Sequence, residues 1–108
     1  MTKVLFVCTA NIDRSRTAED MYKGKPGLEV LSAGTEQSLA KKLVTRELID
    51  WADIILCMEE QHREKILNMS PVADGKTKVL GIHNNWRRGD TELIRLIQEK
   101  ASEYLKFA

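Results

Sequence analysis

Val4-Leu5-Phe6-Val7-Cys8-Thr9-Ala10-Asn11-Ile12-Asp13-Arg14-Ser15 runs from an apolar strand through a tight loop into a helix, and it carries the most reactive side chain of the protein. Val4 to Val7 is an unbroken apolar run, the pattern of a short strand covered on both faces, as in a parallel sheet. Cys8 then falls at the carboxyl end of that strand. Five residues, Thr9 to Asp13, separate Cys8 from Arg14. That is enough backbone to turn N–H groups around one point while the Arg14 guanidinium closes the ring with its planar two-donor fork. A helix beginning near Arg14 aims its dipole and its free N–H groups at the same point, which favours a bound phosphate and the thiolate form of Cys8. The Ser15 hydroxyl can donate to that sulfur. A lone strand cysteine reads most simply as a core residue and a lone arginine as a surface charge; the spacing is what makes the set specific.

Strands and helices alternate along the rest of the chain. Thr17 to Lys23 continues the first helix, with Ala18, Met21 and Tyr22 at helical spacing and Gly24 and Pro26 as its stop. Leu28 to Ser32 alternates apolar and polar as a second strand. Ser32-Ala33-Gly34-Thr35 ends it in small residues, which let the backbone pass close beneath the first loop. Glu36 to Val44 admits a turn or two of helix through Leu39, Leu43 and Val44. Thr45 can cap a short helix whose Leu48, Ile49 and Ala52 face inward, and Trp51 reads as core or rim packing. Ile54-Ile55-Leu56-Cys57 is a third, continuously apolar strand. Glu59 to Asn68 reads as a charged helix with a solvated face, Glu59 and Arg63 one turn apart and His62 on that surface. Pro71 to Gly75 is a loop, Thr77 to Leu80 a fourth strand, and Gly81 to Gly89 a polar loop. Asp90 or Thr91 caps a last helix, in which Leu93, Leu96, Ile97, Ala101, Tyr104 and Leu105 form one apolar stripe.

A chain of 108 residues with 43% apolar residues fits one domain over residues 1–108 around one core. Its net charge of +1 argues against a nucleic-acid partner. The apolar run after Lys3 is too short for a signal-peptide core and no stretch is able to span a membrane, so a cytoplasmic monomer without membrane contact is expected. Cys8 and Cys57 lie 49 positions apart, with His62 and His83 isolated from them. That is no metal spacing; neither metal nor cofactor is expected, and the thiols should be reduced.

Cys8-x5-Arg14-Ser15 followed by Ala18-Glu19 resembles the low-molecular-weight protein tyrosine phosphatases. The resemblance extends to Ser32-Ala33-Gly34-Thr35, to Ala52-Asp53-Ile54-Ile55-Leu56-Cys57-Met58 and to the final helix, and is greatest with a shortened branch of the family. It implies a doubly wound α/β domain: a four-stranded parallel sheet of order 2-1-3-4 with helices on both faces. It also implies metal-free hydrolysis of a phosphate monoester, on a phosphorylated protein or a small molecule, through a cysteinyl phosphate at Cys8. Arg14 would grip two phosphoryl oxygens and the amides of residues 9 to 14 the rest. Asn11 matches the family's loop asparagine, which tolerates a left-handed backbone and ties the loop through its amide. In that strand order Cys8 and Cys57 share one sheet edge, so peroxide could pair them reversibly; an inert core Cys57 is the simpler reading.

Three departures from the family pattern stand out. Asp13 occupies the position before the loop arginine, and Arg16 replaces a proline; an outward Asp13 could pair with Arg16. In the late loop Ile82-His83-Asn84-Asn85-Trp86, Asn84 stands where the family has its acidic aspartate. His83 and Asp90 are the nearest candidates for a substitute general acid, and Asp90 more simply caps the last helix. Two alternatives to an impaired phosphatase follow: a phosphate or phosphotyrosine binder without turnover and, ranked last for want of redox cysteines, an arsenate reductase.

Overall fold

Strands and helices alternate in the computed structural model, which describes residues 1–105: β1 (Thr2–Cys8), α1 (Arg14–Tyr22), β2 (Leu28–Gly34), α2 (Arg46–Trp51), β3 (Ile54–Cys57), α3 (Glu60–Met69), β4 (Thr77–Val79) and α4 (Thr91–Ala101). All pairings are parallel, and the sheet order is β2-β1-β3-β4, as expected. β1 is therefore central, and its Val4 to Val7 have no exposed surface.

Because successive strand residues point to opposite faces, β1 feeds two cores. Val4, Phe6 and Cys8 face α1 and α4, where Phe6 stacks on Tyr22 at 5.8 Å and the Leu93, Ile97 and Ala101 stripe closes the layer. Leu5 and Val7 face α2 and α3, packing with Ile49, Ile55, Cys57 and Ile66. Each fully buried aliphatic side chain contributes about 1.5–3 kcal/mol of transfer free energy. Thr45 caps α2, its Oγ1 accepting from Leu48 N at 3.2 Å. Asp90 caps α4 by accepting from Glu92 N.

Two local expectations change. Glu36 to Val44 is not helical beyond one turn, closed by Ala40 N–H donating to Glu36 O at 2.8 Å. Its later backbone groups are spent on tertiary partners instead: Gly34 N–H donates to Lys42 O, Val44 N–H to Gly34 O, and Lys41 N–H to Ala10 O. Residues Pro71–Lys76 form a 3₁₀ helix rather than a loop, started by its proline.

Candidate active site

Cys8 ends β1 opposite Gly34 of β2, and the loop that follows folds back over its sulfur. Asn11 makes the fold-back possible with a left-handed φ of 54° and complete burial. Its N–H donates to Cys8 Sγ at 3.3 Å. Its side-chain amide donates to Ser15 Oγ at 2.8 Å and to Ser32 Oγ at 2.9 Å. Ser32 in turn donates its proton to Glu19 Oε1. With Ser15 Oγ already accepting from Asn11, its own proton is free for Cys8 Sγ at 3.0 Å. Among the described residues, the N–H groups of Ile12, Asp13, Arg14 and Ser15 have no protein acceptor, so the α1 N-terminus is a ready anion cradle. The small residues at the end of β2 let the strand approach: a Cβ on Gly34 would lie 2.6 Å from Thr9 O and 3.0 Å from Asn11 N.

Arg14 is buried, and its orientation is fixed from behind. One terminal nitrogen, Nη1, donates to Glu59 Oε1 at 2.5 Å and to Ile82 O at 2.8 Å. Nη2 lies 3.4 Å from Thr9 Oγ1, leaving the Nε–Nη2 edge of the fork for an anion. Desolvation opposes the charge on Glu59, but the Arg14 guanidinium outweighs it and holds the carboxyl below the usual range. Glu59 was expected on the solvated face of that helix, one turn from Arg63; it instead caps α3 and anchors Arg14, while Arg63 pairs with Glu60 and Asp74. His62 was expected on the surface and has none of its area exposed. Its Nδ1 accepts from Glu59 N–H at 3.0 Å and its Nε2 lies 2.8 Å from Thr9 Oγ1. Burial, helped by the Arg14 charge, pushes the imidazole down to about 4, so it is neutral near pH 7. The charged pattern of α3 concealed both residues.

Cys8, Thr9, Ala10, Ile12, Asp13, Arg14, Glu59 and Asn84 help to line a cavity of about 370 Å³ over the loop. Residues 3–50 match the family model described as low molecular weight phosphotyrosine protein phosphatase. A protein-arginine-phosphatase of Geobacillus stearothermophilus is 35% identical over 101 residues, covering 72% of this chain and 68% of that protein. The low molecular weight protein-tyrosine-phosphatase Wzb of Escherichia coli K12 is 30% identical over 105 residues, covering 76% and 71%. The chain belongs to the low molecular weight protein tyrosine phosphatase family. Its fold superposes on Vibrio vulnificus Wzb, solved in complex with benzylphosphonate, with a TM-score of 0.78 over 99% of both chains at 26% identity.

The loop after β4 meets the cavity from the other side. Asn84 lines the cavity. His83 is 76% exposed, with Nδ1 3.4 Å from Glu59 Oε2, and Asp90 is tied to the start of α4. Neither lines the cavity. The partner of Asp13 is not Arg16: Asp13 Oδ1 accepts from Arg88 N–H at 2.9 Å. Thr17 Oγ1 accepts from Gly89 N–H, and the Arg88 guanidinium makes two 2.9 Å bonds to Asp20. The late loop is thus pinned along α1, with Trp86 packed on the same layer. The postulated Cys8–Cys57 pairing fails on geometry. Val7, not Cys8, is the register partner of Cys57, and the two sulfurs project from opposite faces of the sheet. Burial pushes the Cys57 thiol up to about 12, an inert core residue. Among the described residues no cluster could hold a metal ion, and no helix is long and apolar enough to cross a membrane.

Proposed function

We propose that residues 1–108 form one catalytic domain that hydrolyses phosphate monoesters through a cysteinyl-phosphate intermediate. The observation that carries it is the polarity around Cys8: Asn11 N–H and the Ser15 hydroxyl both donate to Sγ, beneath a cradle of free amides and the open edge of Arg14. The thiolate attacks phosphorus, a P–S bond forms, the ester P–O bond breaks, and the departing oxygen leaves as an anion that takes a proton from solvent. Water then cleaves the P–S bond, releasing inorganic phosphate and restoring the thiolate. Arg14 and the loop amides stabilise the equatorial oxygens in both steps.

The exposed Ile12 and Leu39 flank the cavity and suit the face of an aromatic leaving group such as phosphotyrosine. The phosphoarginine reading rests on the relative named protein-arginine-phosphatase. Comparing a phosphotyrosine and a phosphoarginine peptide decides between them. At the leaving-group side the family's aspartate is replaced by Asn84, and the nearby Glu59 is ionised against Arg14. Esters of acidic phenols are therefore the better substrates. The decisive assay is phosphate release from an aryl phosphate by the wild type and by Cys8→Ser. Release by the wild type alone supports the reading; saturable oxyanion binding without release in either supports a binding module. Arsenate reduction with a thiol reductant would instead favour the reductase, for which the chain offers only the buried Cys57 as a second thiol.

A further inference from the structure

The side chain of Thr9 has a hydrogen-bond arrangement that the proposed reaction has not yet used. Glu59 N–H donates to His62 Nδ1, so in the neutral imidazole the proton must sit on Nε2. Nε2–H then points at Thr9 Oγ1, 2.8 Å away. Arg14 Nη2 approaches the same oxygen at 3.4 Å. Both lone pairs of the Thr9 hydroxyl are thereby engaged by donors. No protein acceptor among the described residues takes its own hydrogen. Thr9 lines the cavity beside Cys8 and Arg14, and Nη2 belongs to the edge of the guanidinium left open for an anion. An oxygen gripped by that edge lies within reach of the Thr9 proton.

We propose that the Thr9 hydroxyl is a direct hydrogen-bond donor to the phosphoryl group, and that the buried His62 is the positioning residue that turns its proton into the cavity. The inference rests on the phosphatase reading above. Thr9 thus acts through its side chain as well as its backbone amide, and it adds a neutral donor where negative charge develops, between Arg14 and the loop amides. Cys8 does not need this proton, because Ser15 already donates to the sulfur. His62 serves without titrating. It holds α3 to the loop and, having one fixed tautomer, leaves the threonine only one direction in which to donate.

The test compares wild type, Thr9→Val, Thr9→Ser and His62→Leu by two readouts. One is the vanadate concentration that protects Cys8 from iodoacetate; the other is kcat/KM for an activated aryl phosphate. Thr9→Val keeps the shape and removes the donor, so protection should need about tenfold more vanadate and kcat/KM should fall about tenfold, equivalent to about 1.4 kcal/mol. Thr9→Ser should stay within about threefold of wild type. His62→Leu should weaken both readouts in the wild-type background and change little when added to Thr9→Val, since the two act as a unit. The pH dependence of Cys8 alkylation without vanadate should be the same in Thr9→Val and wild type. If it shifts instead, the hydroxyl serves the sulfur and the proposal is wrong. Equal vanadate protection in Thr9→Val and wild type also overturns it. Should Thr9→Val not fold, Thr9→Ser and His62→Leu still decide: a serine variant that needs about tenfold more vanadate, or a His62→Leu variant equal to wild type, contradicts the role of the donor. A wild type with neither vanadate protection nor turnover refutes the phosphatase reading itself, and this proposal with it.

Discussion

The loop after β1 and the loop after β4 meet over the same cavity, yet they are built to different standards. In the first, the Asn11 amide nitrogen donates to Ser15 and Ser32, which pass the chain on to the Cys8 sulfur and to Glu19, and Arg14 is braced by Glu59 and by Ile82 O. In the second, Arg88, Gly89 and Trp86 fasten the backbone to α1, but the side chain turned to the cavity is the unionisable Asn84. In the proposed reading the first loop supplies the nucleophile and the oxyanion cradle, and the second brings no ionisable side chain of its own to the cavity. On that reading, binding and attack on phosphorus would be retained while expulsion of a poor leaving group would be slow.

The strongest way to break the first half is Arg14→Lys. A lysine cannot offer two parallel donors while also satisfying Glu59 and Ile82 O, so kcat/KM for an activated aryl phosphate should fall by about 10²–10³; steady-state kinetics on folded protein check this. Less than a tenfold loss would show that the fork is not what holds the phosphoryl group. Next comes Gly34→Ala, whose Cβ would meet backbone at 2.6 Å. Overpacking there should cost about 1–3 kcal/mol of stability by denaturant titration and weaken vanadate binding with it.

His62 supplies a smaller effect with a defined sign. Its folded value, about 4, lies below the ordinary 6.5, so between these limits the unfolded chain binds more protons. Stability from this residue is full above about pH 6.5, declines as pH falls toward 4 and levels off below. The wild type should lose more stability than His62→Gln over that window in paired denaturation curves. Parallel curves would mean that His62 is solvated. In the second half, Asn84→Asp should raise phosphotyrosine turnover at least tenfold, about 1.4 kcal/mol, and barely change that of an activated ester. Equal gains on both substrates would place the defect in binding rather than proton transfer.

The sheet and the nucleophile loop were legible because local signals agreed with the tertiary outcome. An apolar run, a loop of fixed length and a helix start describe β1, the cradle and α1 with little long-range information. The hydrogen-bond partners that finish the site were hidden for the opposite reason. Glu59 and His62 sit in a run of charged residues whose period is that of a solvated helix, and only the crossing of β3 beside β1 carries the start of α3 to Thr9 and Arg14. Asp13 misled in a similar way: Arg16 is near in sequence, whereas the Arg88 amide reaches it only because the late loop folds onto α1. The two cysteines shared a sheet edge as expected, but residue parity put them on opposite faces.

The contrast between the two loops is tested most directly by the leaving-group dependence of the wild type. In a series of aryl phosphates whose phenols span several units up to the tyrosine value near ~10, log kcat/KM should fall steeply as the phenol becomes more basic. The total loss should approach the ~10²–10⁴-fold that general acid catalysis ordinarily supplies. A flat dependence, with phosphotyrosine turned over as readily as the most activated ester, would contradict the account: a proton donor would then be acting at the late loop after all.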